Sequence, residues 1–137
     1  MPPAERGCDA GAVALRCLIV DDNQEFLDAA RDLLRRERVE VVGVASTTTE
    51  AVRLAAELRP DVALVDIYLG RENGFALARR LADGADGHRP AVILISTYAE
   101  KDLADVIAAS AAAGFLSKSE LSGAAIHAAL GLGERSP

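Results

Sequence analysis

The stretch Asp61-Val62-Ala63-Leu64-Val65-Asp66 constrains the fold more than any other part of the chain. Four consecutive apolar residues lie between Pro60-Asp61 and a loop bearing Gly70, which reads as a buried strand rather than a helix. No polar residue alternates within the run, so both faces of the strand are buried, as in a parallel sheet covered on both sides by helices. Such a strand delivers Asp66 to the carboxyl edge of the sheet, where open α/β folds bind their ligands. Asp66 is therefore the first candidate for the reactive group. A strand-end aspartate that only caps the next loop is the alternative.

The remainder of the chain repeats the same alternation. Leu15 to Val20 reads as a first strand and stops at Asp21-Asp22-Asn23. Phe26, Ala29, Ala30, Leu33 and Leu34 recur at helical spacing and predict a helix over 24–36, with Asn23 or Asp22 as its N-cap. Val39 to Val44 is the second strand, its end weakened by Gly43. Thr47 and Glu50 stand at capping-box spacing before a helix that stops ahead of Pro60. After the third strand, Phe75, Leu77, Ala78 and Leu81 mark a third helix, followed by a polar connection over residues 83–90. Ala91 to Ile95 is the fourth strand, ending in Ser96-Thr97. Leu103, Val106 and Ile107 mark a fourth helix, and Gly114 to Ser117 a short fifth strand ending at Lys118. Ser119 is the expected cap of a last helix through Leu121, Ala125, Ile126 and Ala129, closing at Gly131 or Gly133. Five strands alternating with five helices make a three-layer, doubly wound α/β domain.

A chain of 137 residues fits one such domain: a mobile tail over 1–14, the folded unit over 15–131 and a short tail over 132–137. The formal net charge of −6 argues against a nucleic-acid-binding surface and fits protein partners or a metal. Cys8 and Cys17 form neither a zinc pattern nor a disulfide framework, which points to a reducing cytosol, with Cys17 a small buried hydrophobe. No 18-residue apolar stretch exists to cross a membrane, and the start of the chain lacks a secretion signal. The expected location is cytoplasmic.

The strand ends carry the chemistry. They deliver Asp21 and Asp22, then Asp66, Ser96 and Lys118, all to one edge of a parallel sheet. Three neighbouring carboxylates repel one another and need a cation, and hard oxygen ligands suit Mg²⁺. A carboxylate, a divalent ion, a lysine and a hydroxyl are the parts needed to accept a phosphoryl group. Taken singly, each residue has a plain structural role; their joint placement is what points to function.

Val20-Asp21-Asp22, Val65-Asp66 with Gly74 eight positions on, Ile95-Ser96-Thr97 and Gly114-Phe115-Leu116-Ser117-Lys118 together resemble the receiver domain of two-component response regulators over roughly Leu15 to Leu130. The set is highly specific, where the acidic pair alone is not. The resemblance implies a flavodoxin-like (βα)5 fold with a five-stranded parallel sheet in the order 2-1-3-4-5. It implies Asp66 as the nucleophile that becomes an aspartyl phosphate. Asp22 would bind Mg²⁺ (or Mn²⁺ in its place) directly and Asp21 largely through water, with Asp66 and the backbone carbonyl of Tyr68 completing the protein ligands. Ser96 and Lys118 would hold the phosphoryl oxygens, and Phe115 matches the switch aromatic that turns inward when the hydroxyl moves toward the phosphate. A new dianionic group that biases a two-state surface is the physical logic of such a switch.

Several positions depart from the commonest family pattern. Gly70 stands where proline often follows the phosphorylation site. Ser119 replaces the proline that often follows the lysine, as in the NarL/FixJ-like subgroup, which the last helix resembles. Tyr68 and Tyr98 occupy two loop positions that in this family flank the path of the hydrolytic water, and two bulky side chains there are expected to slow loss of the phosphate. NarL/FixJ-like regulators usually carry a DNA-binding domain after the receiver, whereas few residues follow Leu130 here, so a stand-alone receiver or receiver fragment without direct DNA binding is expected. The implied partners are a histidine kinase or histidine phosphotransfer protein as donor and an unidentified downstream protein, with homodimerisation left open. The output surface would include Leu103, Val106, Phe115 and Ile126, each of which has core packing as its plainer explanation.

Other classes remain in view. A haloacid-dehalogenase-type phosphatase also forms an aspartyl phosphate but needs Asp-x-Asp, and Asp66 is followed by Ile67-Tyr68. A flavodoxin-like cofactor binder would use Tyr68 and Tyr98 as stacking faces but needs a hydroxyl- and glycine-rich anion loop, where this chain has Asp21-Asp22-Asn23. A docking or dimerisation module that is never phosphorylated is the third. The expectation is a phosphoacceptor, not an enzyme that turns over a substrate.

Overall fold

The computed structural model describes residues 15–69, 72–83, 90–96 and 112–130. The tail over 1–14, Gly70, Thr97, Tyr98, the fourth helix with Leu103 and Val106, and residues 131–137 lie outside the described residues.

Among the described residues, β1 (Leu15–Val20), β2 (Val39–Ala45), β3 (Val62–Asp66), β4 (Ala91–Ser96) and β5 (Gly114–Ser117) form one sheet in the order β2-β1-β3-β4-β5. Every neighbouring pair is parallel. The expected five-stranded 2-1-3-4-5 order holds.

The strands alternate their side chains between two cores. Leu18, Val20, Ala63, Val65, Val92 and Leu94 face one side, packed against Ala51 and Ala55 of α2 (Thr48–Leu58) and Leu77, Ala78 and Leu81 of α3 (Gly74–Asp83). Cys17, Ile19, Val62, Leu64, Ile93 and Ile95 face the other, packed against Leu27, Ala30 and Leu34 of α1 (Gln24–Arg36) and Ile126 of α4 (Gly123–Ala129). Both faces being covered explains the continuous apolar runs. Cys17 behaves as a hydrophobe: burial pushes its thiol up to about 12, well outside the range of a reactive thiolate.

Local signals set most boundaries. Asn23 caps α1, its side chain accepting the Phe26 N–H at 3.1 Å. Thr47 Oγ1 accepts the Glu50 N–H at 3.1 Å, while the Glu50 carboxylate reaches back to the N–H of Ser46, one residue beyond the usual capping-box partner. Arg59 ends α2 in the left-handed region with φ 50.

Three expectations need correction. Gly43 does not weaken the end of β2, which runs on to Ala45. Cys17 pairs with Val41 and Leu18 with Gly43, so Val42 is the extra residue of a bulge. A side chain at Gly43 would meet Leu58 of α2 at 2.8 Å, so glycine lets the helix approach. Ser119 does not cap the last helix. A 3-10 turn over Lys118–Glu120 comes first, Leu121 is buried ahead of α4, and Ser122 Oγ accepts the Ala125 N–H at 2.9 Å. Ser119 instead shares a 2.9 Å hydrogen bond with Ser117. Ile126 is wholly buried and offers nothing to an output surface.

The start of α4 is also held from a distance. The Gly123 N–H donates to the Glu37 carboxylate at the end of α1, and a Cβ on Gly123 would press on Glu37 at 2.9 Å. This places a carboxylate on a helix start across 86 positions of sequence. Glu37→Ala removes that acceptor and is expected to lower stability by about 1–2 kcal/mol in urea unfolding, with Glu37→Gln retaining most of it.

Candidate functional site

The register of the sheet assembles the site. Val20 pairs with Val65, so the next residue on each strand brings Asp21 beside Asp66. Asp66 pairs with Ile95 and Ser96 with Ser117, which sets Lys118 just past the same rim. All of the residues expected there within the described part of the chain lie at this edge.

The Lys118 ammonium is 2.6 Å from Asp21 Oδ2 and 3.3 Å from Asp66 Oδ2. The other oxygen of each carboxylate takes a backbone donor two residues along. Asp21 Oδ1 accepts the Asn23 N–H at 2.9 Å and Asp66 Oδ1 the Tyr68 N–H at 3.2 Å. Asp21 is 0% exposed, Asp66 6% and Ser96 1%, whereas Asp22 faces solvent.

The electrostatics follow from this packing. Burial first, then the neighbouring Asp21 charge, raises the Asp66 carboxyl from 3.8 to about 6, against the opposing pull of Lys118 and the Tyr68 N–H. At neutral pH Asp66 is ionised. Burial works against the Lys118 ammonium, but the hydrogen bond to Asp21 and the two carboxylate charges outweigh it and hold its pKa above that of an ordinary lysine.

One oxygen each of Asp21, Asp22 and Asp66 lie within 4.8 Å of one another. Asp21 Oδ2 is buried, with the Lys118 ammonium 2.6 Å away. Three carboxylates against one ammonium leave negative charge in excess. Hard oxygen donors with a solvent-facing member fit Mg²⁺, which keeps several waters.

The described residues after Asp66 carry regular pairing where the sequence reads only as a loop. Tyr68–Leu69 and Glu72–Asn73 form a two-stranded antiparallel hairpin. Gly74 closes it, its N–H donating to the Ile67 carbonyl at 2.9 Å. A Cβ on Gly74 would collide with the Asp66 carbonyl oxygen and lie 2.8 Å from Ile67 Cα. Tyr68 is 53% exposed beside the site. Phe115, paired with Leu94 on β4, is half-buried against the α2–α3 core.

One residue of the site escapes sequence reasoning. The ring of Phe26 lies with its centroid 4.6 Å from Lys118 Nζ. Its place three residues after the N-cap of α1 marks it only as part of the apolar stripe of a helix.

The family profile of the response regulator receiver domain matches residues 17–130. The transcriptional regulatory protein LiaR of Bacillus subtilis is 30% identical over 115 residues, covering 76% of this chain and 49% of that protein. The signal receiver domain of the response regulator NarL from Mycobacterium tuberculosis superposes with a TM-score of 0.71 at 29% identity, over 86% of this chain and 98% of that one. A response regulator protein from Burkholderia pseudomallei, solved with a phosphorylated aspartic acid, a calcium ion and citrate, has a TM-score of 0.71 at 27% identity, over 85% of this chain and 66% of that one. Curated relatives are longer: the chain spans 35% of a response regulatory protein of Yersinia pestis and about half of LiaR.

Two outcomes test this geometry. Asp66 has a raised folded-state pKa, so its contribution to stability is full below about pH 4 and is lost as pH rises through about 6. Asp66→Asn is therefore expected to stabilise the metal-free protein above pH 6, by on the order of 1 kcal/mol after allowing for solvent screening at the rim. Thermal unfolding against pH checks this; the difference closes toward pH 4, and Mg²⁺ narrows it by favouring the ionised wild type. Gly74→Ala is expected to cost about 1–3 kcal/mol by forcing the hairpin off the Asp66 backbone, measured by chemical denaturation.

Proposed function

Because the chain belongs to the response regulator receiver domain family, we propose that it accepts a phosphoryl group on Asp66 from a histidine kinase or histidine phosphotransfer protein and thereby switches a protein-interaction surface. Receiver domains are phosphoacceptors in two-component signal transduction, and the receiver unit is taken as residues 15–131. The observation that carries the assignment to Asp66 is the Lys118 ammonium held between Asp21 Oδ2 and Asp66 Oδ2 at the carboxyl edge of the sheet.

The chemistry follows from the residues at that edge. Asp66 is ionised at neutral pH and partly desolvated, which suits a carboxylate nucleophile. Its oxygen bonds to phosphorus as the N–P bond of the donor phosphohistidine breaks, and the imidazole leaves with the electron pair. The Tyr68 N–H holds the Asp66 carboxylate in orientation. Lys118, 3.3 Å from Asp66 Oδ2, would follow the charge from the carboxylate onto the phosphoryl oxygens. The Ser96 hydroxyl, buried on the neighbouring strand, is the group that would move toward the phosphate. Phe115 would follow it inward, and its half-buried ring supports that role. Receiver domains bind Mg²⁺ through acidic residues; here Asp21, Asp22, Asp66 and the Tyr68 carbonyl would hold it, and it would offset the negative charge of the transferring group.

The exposed Tyr68 ring is proposed to restrict water at the phosphorylated residue. No helix among the described residues is long and apolar enough to cross a membrane, and we place the protein in the cytoplasm with its donors.

Incubation with Mg²⁺ and acetyl phosphate, read by intact mass, tests the assignment. Wild type is expected to gain one phosphoryl group and Asp66→Asn none, and chelation of Mg²⁺ is expected to abolish the gain. A wild-type protein that takes up no phosphoryl group from small donors or from any histidine kinase would sink the proposal.

A further inference from the structure

Phe26 closes a ring of contacts around the site. Asp21 Oδ1 accepts the Asn23 N–H at 2.9 Å, and Asn23 Oδ1 accepts the Phe26 N–H at 3.1 Å. The Phe26 ring then faces Lys118 Nζ, 4.6 Å from its centroid, and Lys118 Nζ returns to Asp21 Oδ2 at 2.6 Å. The start of α1 is thus tied to the ammonium at both ends, by hydrogen bonds through the cap and by the face of an aromatic ring.

From this arrangement we infer that Phe26 is a positioning residue for phosphoryl transfer, holding the Lys118 ammonium over its ring so that it stays within reach of Asp66. The inference rests on the assignment of Asp66 as phosphoacceptor. The physical need is specific. A lysine has a long, rotatable stem and a strongly hydrated head, and an ammonium is free to swing toward solvent unless held. Asp21 restrains it from one side. If Asp21 acted alone, the ammonium would be free to settle on Asp21 and away from Asp66, which is 3.3 Å distant. The electron-rich ring face attracts the cation without neutralising it or occupying its hydrogen-bond donors. It also covers one side of the ammonium with apolar surface, which strengthens the pull of the ammonium on nearby anions.

This role differs from packing. Phe26 borders the core shared by α1, β1 and α4, and a leucine there would keep most of the apolar contact while losing the ring face.

The test compares Phe26→Leu and Phe26→Tyr with wild type, each confirmed as folded by cooperative unfolding, in two measurements. In the first, phosphorylation by acetyl phosphate is timed. Phe26→Leu is expected to be slower by about 3- to 10-fold, Phe26→Tyr to recover most of the rate, and Phe26→Leu to cause no further loss in a Lys118→Ala background. In the second, proton NMR of the metal-free protein reads the Lys118 Cε protons, which are expected upfield of ordinary lysine values in wild type and Phe26→Tyr and near them in Phe26→Leu. A Phe26→Leu rate equal to wild type overturns the inference, as does an equal loss with and without Lys118. Ordinary Lys118 shifts in wild type overturn it even if the leucine variant fails to fold. A wild type that is never phosphorylated sinks the phosphoacceptor assignment itself, and the positioning role with it.

Discussion

The site depends on one ammonium shared between two carboxylates. Asp21 is wholly buried and Asp66 nearly so, and two such charges side by side are tolerated only with a counter-charge between them. Lys118 supplies part of it and leaves the rest for a cation, which keeps the site short of positive charge. That shortfall matters chemically: a site already neutral would gain little from a divalent ion, and a site without the lysine would ionise Asp66 less readily. The raised Asp66 carboxyl, at about 6, records the balance.

The sheet is what makes the sharing possible. Asp21, Asp66 and Lys118 come from positions far apart in the chain, and only parallel pairing in register carries the ends of β1, β3 and β5 to one rim. The two apolar cores then fix that rim. On one side α1 presents Leu27, Ala30 and Leu34 to the sheet while its first turn holds Asn23 and Phe26 at the site. Its last residues reach α4 through Glu37, so one helix links the Asp21 loop to the element after Lys118. On the other side α3 begins at Gly74, where the absence of a side chain lets the chain pass against the Asp66 backbone.

The sequence is most legible where a local pattern has a local cause. The bounds of β1, α1 and β5 fall where apolar runs meet polar residues or where Asn23 offers a cap. Capping is less legible when two candidates compete. Ser119 and Ser122 have the same chemistry, but Leu121 must be buried, and a 3-10 turn over Lys118–Glu120 brings it there before α4 starts. The hairpin after Asp66 escapes because two-residue strands have no periodicity to read. Gly43 reads as a strand breaker from propensity alone, whereas in the fold it makes room for Leu58 inside a bulged strand.

By itself the sequence determined the class of fold and which polar residues gather at one edge of the sheet. Continuous apolar runs require a sheet covered on both faces, and polar residues at their ends have only one edge to occupy. It did not determine which of those groups touch. That Lys118 spans Asp21 and Asp66, that Phe26 lies against its ammonium and that Asp22 is left to solvent were decided by register and by helix packing. The reason is physical: residue type fixes what a side chain can do, while distances of a few ångströms, on which charge sharing depends, are set by contacts between segments remote in the chain.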